Sequence, residues 1–275
     1  MSPHRASAAF TERWEHFRFQ VDRGVGTVTF DRPDRLNALT FDTYSDLRDL
    51  LTELALRNDV SVLILTGEGR GFCSGGDVND IIGALQETNS KRLLEFTRMT
   101  GAVVQGMRAF PRPIIAAING VAAGAGAVIA LAADLRLMTD AATIQFLFTK
   151  VGLAGADMGA AYLLPRMIGL ARATQLLLLG EAVTAEAAVG MGLAIKQVPA
   201  ADLMAEANAL ALNLARGPAW AVGTTKSLLV REQDMSMEAA IELEAWAQAL
   251  LMTSDDHREF YRAFIEGRPP QWRGQ

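Results

Sequence analysis

The chain has 275 residues, of which 50% are hydrophobic and 21% are charged, a composition typical of a globular α/β protein with a full core. Its formal net charge of -5 gives no electrostatic case for nucleic acid as the main partner. The single cysteine, Cys73, excludes an internal disulfide framework and a multi-cysteine zinc site. The N-terminus carries no apolar run of signal-peptide length, so we expect a cytoplasmic protein.

The first part of the chain alternates strand patterns with helical patterns. Residues 1–15 look like a loose tail, and two short strands are predicted within Phe17–Phe30. A helix is predicted from an N-cap at Thr40 to about Arg57, because apolar residues recur on one face. The apolar run Val60–Thr66 predicts a strand that is buried on both faces of a sheet.

The same alternation continues after a glycine-rich loop that ends at Asp77, where an aspartate would cap the next helix. A helix is predicted over Lys91–Arg108, a strand over Leu135–Met138, and a further helix from about Met158. Strands that alternate with helices predict right-handed crossovers and parallel pairing.

Residues 112–136, RPIIAAINGVAAGAGAVIALAADLR, combine a short strand, a turn of small residues and a buried helix. A membrane span over Ile114–Ala133 is one alternative, although Asn119 and the glycines argue against it. A phosphate-binding turn is another, but the glycine spacing fits neither the dinucleotide fingerprint nor a P-loop. The turn could also present backbone N–H groups to a ligand, or be a packed helix start without one.

From about Ala171 the sequence is helical almost throughout. No flexible linker occurs near residue 200, so we divide the chain into a tail (1–15), a core domain (16–200) and a C-terminal helical region (201–275). The helical region should pack on the core domain or on a neighbouring subunit. Its helices, with the two that precede it, are predicted at Gln175–Leu179, Ala185–Gly190, Asp202–Ala215, Ala219–Val230, Met237–Thr253 and up to Glu266.

Several common catalytic arrangements are missing. The three histidines, His4, His16 and His257, and the absence of a G-x-S-x-G motif argue against a serine hydrolase. No metal-ligand spacing occurs, so no metal site is expected. Two glycine-rich turns remain, at residues 71–77 and 119–126, and each follows a strand.

Six segments carry a resemblance to a known family, and together they run from about Phe17 to Trp272. Their order and spacing resemble those of the crotonase (enoyl-CoA hydratase/isomerase) superfamily. They are DRPDRLNAL (31–39), VLILTGEGRGFCSGGDV (62–78), PIIAAINGVAAGAGAVIALAADLRLM (113–138), GADMGAAYLLPRMIG (155–169), LLGEAVTAEAAVGMGLA (178–194) and AFIEGRPPQW (263–272).

The resemblance implies an α/β fold, a crotonase-like spiral of ββα turns with a C-terminal helical region for trimerisation and for covering the active site. It implies a homotrimer, or a hexamer built as a dimer of trimers, that acts on an acyl-CoA thioester in fatty acid metabolism. Coenzyme A would be part of the substrate, so no separate cofactor is expected, and no membrane or nucleic acid.

The resemblance also implies an oxyanion hole made by two backbone N–H groups. Matched by motif, these belong to Gly76 and to Ala125, where the family usually has glycine. A thioester enolate places negative charge on one oxygen, and two fixed amides in a dry site stabilise it by several kcal/mol. Side chains at these positions need only be small.

The acids of a two-glutamate hydratase are missing at the matching positions. The first position is Val128 and the second is Phe148, and both are apolar. The loop length leaves Thr149 and Lys150 as neighbouring candidates for the second position, but neither is a good general base at neutral pH. The sequence therefore argues against standard two-glutamate hydration.

One acid remains at a matching position. Asp157 corresponds to the aspartate that transfers a proton in dienoyl-CoA isomerases, and to the nucleophile of aryl-CoA dehalogenases. A carboxylate in the apolar stretch LAGADMGAA should have a raised pKa that suits proton abstraction. The alternative is that Asp157 only caps the helix predicted from Met158.

Other positions are implied to bind coenzyme A. The adenine pocket would use the RLNAL segment and the residues after the oxyanion glycine, a neighbouring subunit would supply an aromatic side chain, and cations would reach the phosphates. The matching residues are Arg35, Asn37 and Ala38, then Asp77, Val78 and Asn79, then Phe264, and finally Lys226, with Arg268 as a further cation.

These expectations favour proton transfer by Asp157 during double-bond isomerisation, with hydration kept as the broad family label. One alternative is a hydrolase or dehalogenase in which Asp157 is a nucleophile. The other is a homologue that binds CoA esters without catalysis, because both glutamate positions are apolar.

Overall fold

The computed structural model describes residues 9–274. Residues 1–8 of the predicted tail, which include His4, and residue 275 lie outside that range. Within it the chain forms ten strands. They are β1 (Arg18–Asp22), β2 (Val25–Phe30), β3 (Val62–Gly67), β4 (Gly71–Cys73), β5 (Ile114–Ile118), β6 (Val121–Ala123), β7 (Leu135–Thr139), β8 (Thr143–Gln145), β9 (Ala182–Thr184) and β10 (Lys196–Val198).

The strands form two sheets. The larger has the order β1-β2-β3-β5-β7-β10 and the smaller has the order β4-β6-β8-β9. Only the pairs β1–β2 and β8–β9 are antiparallel, and all other neighbours are parallel. The predicted parallel pairing is confirmed.

Helices follow the strands and fill the second half of the described chain. A π-helical turn, Val78–Gly83, runs into α2, and 3-10 turns occur at Pro33–Arg35, Leu147–Val151, Ala200–Asp202 and Glu232–Asp234. The α-helices are α1 (Phe41–Leu54), α2 (Ala84–Gln86), α3 (Ser90–Ala109), α4 (Ala125–Ala132), α5 (Ala160–Ile168), α6 (Leu170–Leu179), α7 (Ala185–Gly190), α8 (Leu203–Ala215), α9 (Ala219–Arg231), α10 (Met237–Met252) and α11 (Asp255–Glu266).

A ββα unit recurs three times along the chain. In each unit a strand of the larger sheet leads to a three-residue strand of the smaller sheet and then to helical structure: β3 to β4, β5 to β6, and β7 to β8. This repetition confirms the predicted crotonase-like spiral, and it places the ends of β4, β6 and β8 along one edge of the smaller sheet.

The larger sheet is covered on both faces. Leu63 and Leu65 of β3 pack into the main core, whereas Val62 and Ile64 pack on its other face with residues of α8. Successive side chains of a strand point to opposite faces, so a strand covered on both sides needs an unbroken apolar run. The division of the chain at residue 200 stays a prediction, although α8 packs directly on this sheet.

The membrane-span interpretation of Ile114–Ala133 is wrong. This stretch divides into β5, β6 and α4, and α4 has only eight residues. No helix in residues 9–274 has the length and hydropathy needed to cross a bilayer.

The predicted helices are present with small shifts of their ends, but five strands of three residues, β4, β6, β8, β9 and β10, are additional to the prediction. β4, β6 and β8 have three residues each and adjoin glycine-rich or polar turns, so they are too short to show a period of two. Together with β9 they form the smaller sheet, which carries both glycine turns.

Candidate active site

The two glycine turns meet at one edge of the smaller sheet. β4 pairs in parallel with β6, with Gly71 opposite Val121 and Cys73 opposite Ala122, so the residues that follow the two strands emerge side by side. A Cβ atom built on Gly75 would lie 3.4 Å from the backbone nitrogen of Ala125. The turns that carry Gly76 and Ala125 are therefore in direct contact.

The backbone N–H groups of Gly76 and Ala125 have no hydrogen-bond acceptor within the described range. Leu39 bonds the residues on either side of Gly76: its N–H donates to the carbonyl of Gly75 at 2.8 Å, and its carbonyl accepts from Asp77 at 2.9 Å. In a parallel bridge the residue between the two bonded ones, here Gly76, points its own N–H away from Leu39. Ala125 is the first residue of α4, where amides lack intrahelical partners and favour negative charge.

A side chain on Gly76 would meet only ordinary van der Waals contacts, whereas Gly126 is packed against backbone. A Cβ atom on Gly126 would lie 2.1 Å from the carbonyl oxygen of Cys73, so only glycine fits there. On Gly76 the nearest atoms would be Cδ1 of Ile81 at 3.7 Å and the hydroxyl of Tyr44 at 4.0 Å. Because Gly76 has no side chain, a small ligand group fits beside its unbonded N–H.

Asp157 lies in the loop before α5 and is half-buried. Its Oδ1 atom accepts a hydrogen bond of 2.9 Å from the N–H of Met158, a buried residue with φ of 50°. Burial raises the pKa of Asp157 above the ordinary value, and the Met158 hydrogen bond partly opposes that shift. Asp157 forms no ion pair within residues 9–274.

The helix-cap explanation for Asp157 is wrong. α5 begins at Ala160 rather than at Met158, its N-cap is Gly159, and no side chain caps it. The left-handed residues Met158 and Gly159 separate the carboxylate from the helix. The Asp157 side chain therefore does not cap α5, and its one hydrogen bond within the described chain is the one from Met158.

The two positions that hold glutamates in hydratases are core positions here. Val128 is fully buried in α4, and Phe148 is 7% exposed in the 3-10 turn Leu147–Val151. The neighbouring Thr149 has a buried Oγ1 atom with no hydrogen-bond partner in the described chain, and Lys150 is exposed. None of the four side chains carries a carboxylate.

The RLNAL segment is held by its own hydrogen bonds. Asn37 is buried, and its side chain accepts from the N–H of Arg32 and donates to the carbonyls of Glu68 and Gly71. Ala38 is also buried, and its carbonyl accepts from Arg32, whereas Arg35 is exposed. Of the three predicted CoA contacts here, only Arg35 offers a free side chain.

Asp77 caps the π-helical turn, as its position after the glycine loop predicts. Its carboxylate accepts from the N–H groups of Asn79 at 2.9 Å and Asp80 at 3.1 Å, and lies 3.1 Å from Nη1 of Arg32. The Asp80 hydrogen bond is the main reason that the pKa of Asp77 is lowered. Val78 and Asn79 are exposed beside it, so a ligand could contact their surfaces.

Lys226 does not fit its predicted role as a phosphate ligand. The side chain is 7% exposed, and its ammonium lies 2.8 Å from Asp134 and donates to the carbonyls of Met107 and Arg112. Desolvation lowers the pKa of Lys226, and the charge and hydrogen bond of Asp134 partly oppose this shift. Lys226 therefore acts inside the protein, where it ties α9 to the segments on either side of β5.

The other C-terminal candidates are at the surface. Arg268 is paired with Glu259 and Glu266, whereas Phe264 is 73% exposed on α11.

Sequence reasoning also missed Tyr44, which is 2% exposed on α1 with its hydroxyl near Gly76. A tyrosine on an apolar helix face was the available signal, because a buried phenol needs a polar partner.

Comparison with known proteins agrees with this architecture. Residues 20–275 match the family described as Enoyl-CoA hydratase/isomerase. A "Probable enoyl-CoA hydratase" from Rhodobacter capsulatus is 37% identical, over 94% of this chain and 98% of its own. The 1,2-epoxyphenylacetyl-CoA isomerase of Escherichia coli is 35% identical, over 93% and 97% respectively.

Solved structures lead to the same family. The structure of a "putative enoyl-CoA hydratase" from Streptomyces coelicolor A3(2) superposes with a TM-score of 0.98 at 56% identity, and the match covers 100% of both chains. That of an enoyl-CoA hydratase from Bacillus anthracis has a TM-score of 0.89 at 26% identity, over 95% of this chain. The chain belongs to the enoyl-CoA hydratase/isomerase family of the crotonase superfamily.

Proposed function

We propose that this enzyme isomerises a double bond in an acyl-CoA thioester, with Asp157 as its single proton-transfer group. The observation that carries the proposal is the pair of unbonded N–H groups at Gly76 and Ala125, in a site whose two glutamate positions are Val128 and Phe148. Two such amides would hold the thioester oxygen and stabilise its enolate.

In this mechanism Asp157 removes a proton from a carbon next to the thioester or next to the double bond. The electron pair moves toward the thioester, and the enolate oxygen accepts hydrogen bonds from Gly76 and Ala125. Asp157 then returns the proton to a different carbon. Its raised pKa supports both steps, because a base poised nearer the working pH also returns the proton readily.

Isomerisation is favoured over hydration by the number of acids. Hydration needs one group that activates water and a second that delivers a proton, and the matching positions here supply no carboxylate besides Asp157. The name of the E. coli relative, an isomerase, supports this direction. Nucleophilic attack by Asp157 and binding of CoA esters without catalysis are retained as alternatives.

The experiment compares the chain with its Asp157→Asn variant on a 3-enoyl-CoA substrate. We expect isomerisation to the 2-enoyl ester, and a loss of about 10²–10⁴-fold in the variant. Asp140→Asn is the matched control, because Asp140 is an exposed acid that accepts from Gln197. Unchanged turnover in Asp157→Asn would contradict the mechanism.

A single turnover in heavy-oxygen water separates the nucleophilic alternative. Hydrolysis of an ester formed on Asp157 places the label in its carboxylate, whereas proton transfer leaves the carboxylate unlabelled. If the parent chain and both variants show no turnover but still bind CoA esters, the non-catalytic alternative is favoured.

We further propose that the enzyme assembles as a homotrimer or a dimer of trimers. Support comes from α10, which buries none of its residues in this chain although it carries Met237, Ile241, Trp246 and Leu250 on its surface. The exposed Phe264 of α11 is the proposed contact to a ligand in a neighbouring subunit. Arg35, Val78 and Asn79 are the proposed contacts to coenzyme A within one chain.

A further inference from the structure

Tyr44 occupies a fixed position inside the fold. It lies on α1, is 2% exposed, and its ring meets the ring of Phe96 edge-to-face with 6.0 Å between the centroids. The neighbouring α1 residues Leu47 and Leu51 are buried in the same core. The ring is therefore held by packing, and its hydroxyl has a defined direction.

That hydroxyl points at the active-site turn. It lies 4.0 Å from the place that a Cβ atom would take on Gly76. The negative charge of Asp157 is among the causes that raise the pKa of Tyr44, so the carboxylate acts on the same space. The Tyr44 hydroxyl thus lies beside the turn that carries Gly76, within electrostatic range of Asp157.

The hydroxyl lacks a hydrogen-bond partner. It forms no hydrogen bond with a residue of the described range, and the Asp157 carboxylate accepts within that range only from the backbone N–H of Met158. Buried phenols normally find a partner, because an unsatisfied polar group in a protein interior is costly. The Tyr44 hydroxyl is not among the fully enclosed polar atoms without a partner, so it can be reached from the space beside Gly76, and a ligand placed there can supply the partner.

Chemistry restricts what that partner can be. Burial, followed by the charges of Cys73 and Asp157, keeps the pKa of Tyr44 well above its usual range, so the phenol stays protonated and acts as a donor. Cys73 is fully buried and burial raises its pKa to about 12, so its neutral thiol is a weak acceptor. The group that Tyr44 meets must therefore be an acceptor, and oxygen is the strongest one that an acyl group carries.

We propose that Tyr44 is a specificity-determining residue whose hydroxyl donates a hydrogen bond to an oxygen on carbon two or three of the acyl group. The inference rests on the proposed function, which places the thioester carbonyl at Gly76 and Ala125 and hence the next carbons beside Tyr44. The enzyme would then prefer acyl-CoA esters that are oxygenated near the thioester over plain hydrocarbon esters. A site built around a donor discriminates in this way, since a ligand without the acceptor leaves the donor unpaired.

The test measures the Kd of three ligands: butanoyl-CoA, 2-hydroxybutanoyl-CoA and 3-hydroxybutanoyl-CoA. Titration calorimetry in the Asp157→Asn background removes the proposed base, so that turnover does not distort binding. We expect at least one hydroxy ester to bind about 5-fold or more tightly than butanoyl-CoA, the factor that a net hydrogen bond gives. Tyr44→Phe should bring this ratio to about 1 and change the Kd of butanoyl-CoA less than about 2-fold.

Tyr162→Phe is the matched control, because the hydroxyl of Tyr162 bonds with Asp234 at the surface, and it should keep the preference. An unchanged ratio in Tyr44→Phe, or an equal loss for all three esters, would overturn the inference. Failure of butanoyl-CoA to bind the unsubstituted chain would instead refute the proposed function. The melting temperature of each variant shows whether the core around Phe96 has been kept.

Discussion

The N–H of Met158 donates a 2.9 Å hydrogen bond to Oδ1 of Asp157, from a backbone in the left-handed region at φ of 50°. That conformation costs a residue other than glycine about 1 kcal/mol or more, and burial of the Met158 side chain holds it in place. One carboxylate oxygen is thereby fixed, and the other accepts no hydrogen bond from the described residues, which would suit it to the proposed proton transfer. Residues kept in such conformations concentrate at functional sites.

The first prediction concerns the pH dependence of catalysis. A base must be ionised, so kcat/KM should fall as the pH drops through the raised pKa of Asp157. The acid limb of the profile should therefore lie above the value of about 3.9 for a free aspartate. A limb at or below that value would show that another group limits the rate.

The second prediction concerns stability. The folded state raises the pKa of Asp157, so it binds the proton more tightly than the unfolded chain does. The favourable contribution is complete below the unfolded pKa and is lost as the pH rises through the folded pKa. Asp157→Asn, which cannot ionise, should thus be more stable than the parent chain at pH 7 and equally stable near pH 3. Urea unfolding at both values measures the difference, and a less stable variant at pH 7 would contradict the prediction.

The sequence predicts the family through its motifs, and the resemblance implies the spiral, whereas apolar periodicity predicts the helices and the buried strands. It does not predict how Lys226 is used, because an isolated lysine looks solvated until the fold brings Asp134 to 2.8 Å from it. It also leaves Tyr44 among the core residues of α1. The direction of that hydroxyl depends on where the Gly76 turn packs, which no local pattern encodes.

The third prediction contrasts two glycines. A methyl on Gly126 would lie 2.1 Å from the Cys73 carbonyl, whereas a methyl on Gly76 would meet only ordinary contacts. Gly126→Ala should therefore lose about 1–3 kcal/mol or fail to fold. Gly76→Ala should fold with nearly unchanged stability and lose activity, because the methyl fills space reserved for the acyl group. Thermal melts and kcat/KM check the pair, and full activity in Gly76→Ala would count against an acyl group in the space beside residue 76.

The fourth prediction separates a structural cation from a ligand-binding one. Lys226→Met removes the nearest cation to Asp134, which keeps Arg108 at 3.8 Å and the N–H of Ile114, and should lower the free energy of unfolding by about 1–3 kcal/mol. Arg35→Ala removes an exposed cation and should leave stability within about 0.5 kcal/mol.

Binding of coenzyme A should show the opposite order. Arg35→Ala should weaken it by about 10-fold at low salt and less at high salt, as expected for an exposed contact to a phosphate. Folded Lys226→Met should keep the parent Kd. A parent-like Kd in Arg35→Ala would remove that residue from the proposed binding surface.

The last prediction concerns assembly through α10. Trp246 is 67% exposed and Ile241 is 56% exposed on a helix with no fully buried residue, and exposed apolar faces of this kind mark contacts between proteins. The 29.6 kDa chain should therefore have three or six times that mass by light scattering. Ile241→Glu with Trp246→Glu should shift the mass toward that of one chain, because two buried charges oppose the contact. Glu238→Gln on the same helix is the control and should keep the assembly. A parent chain with the mass of a monomer would refute the proposed assembly.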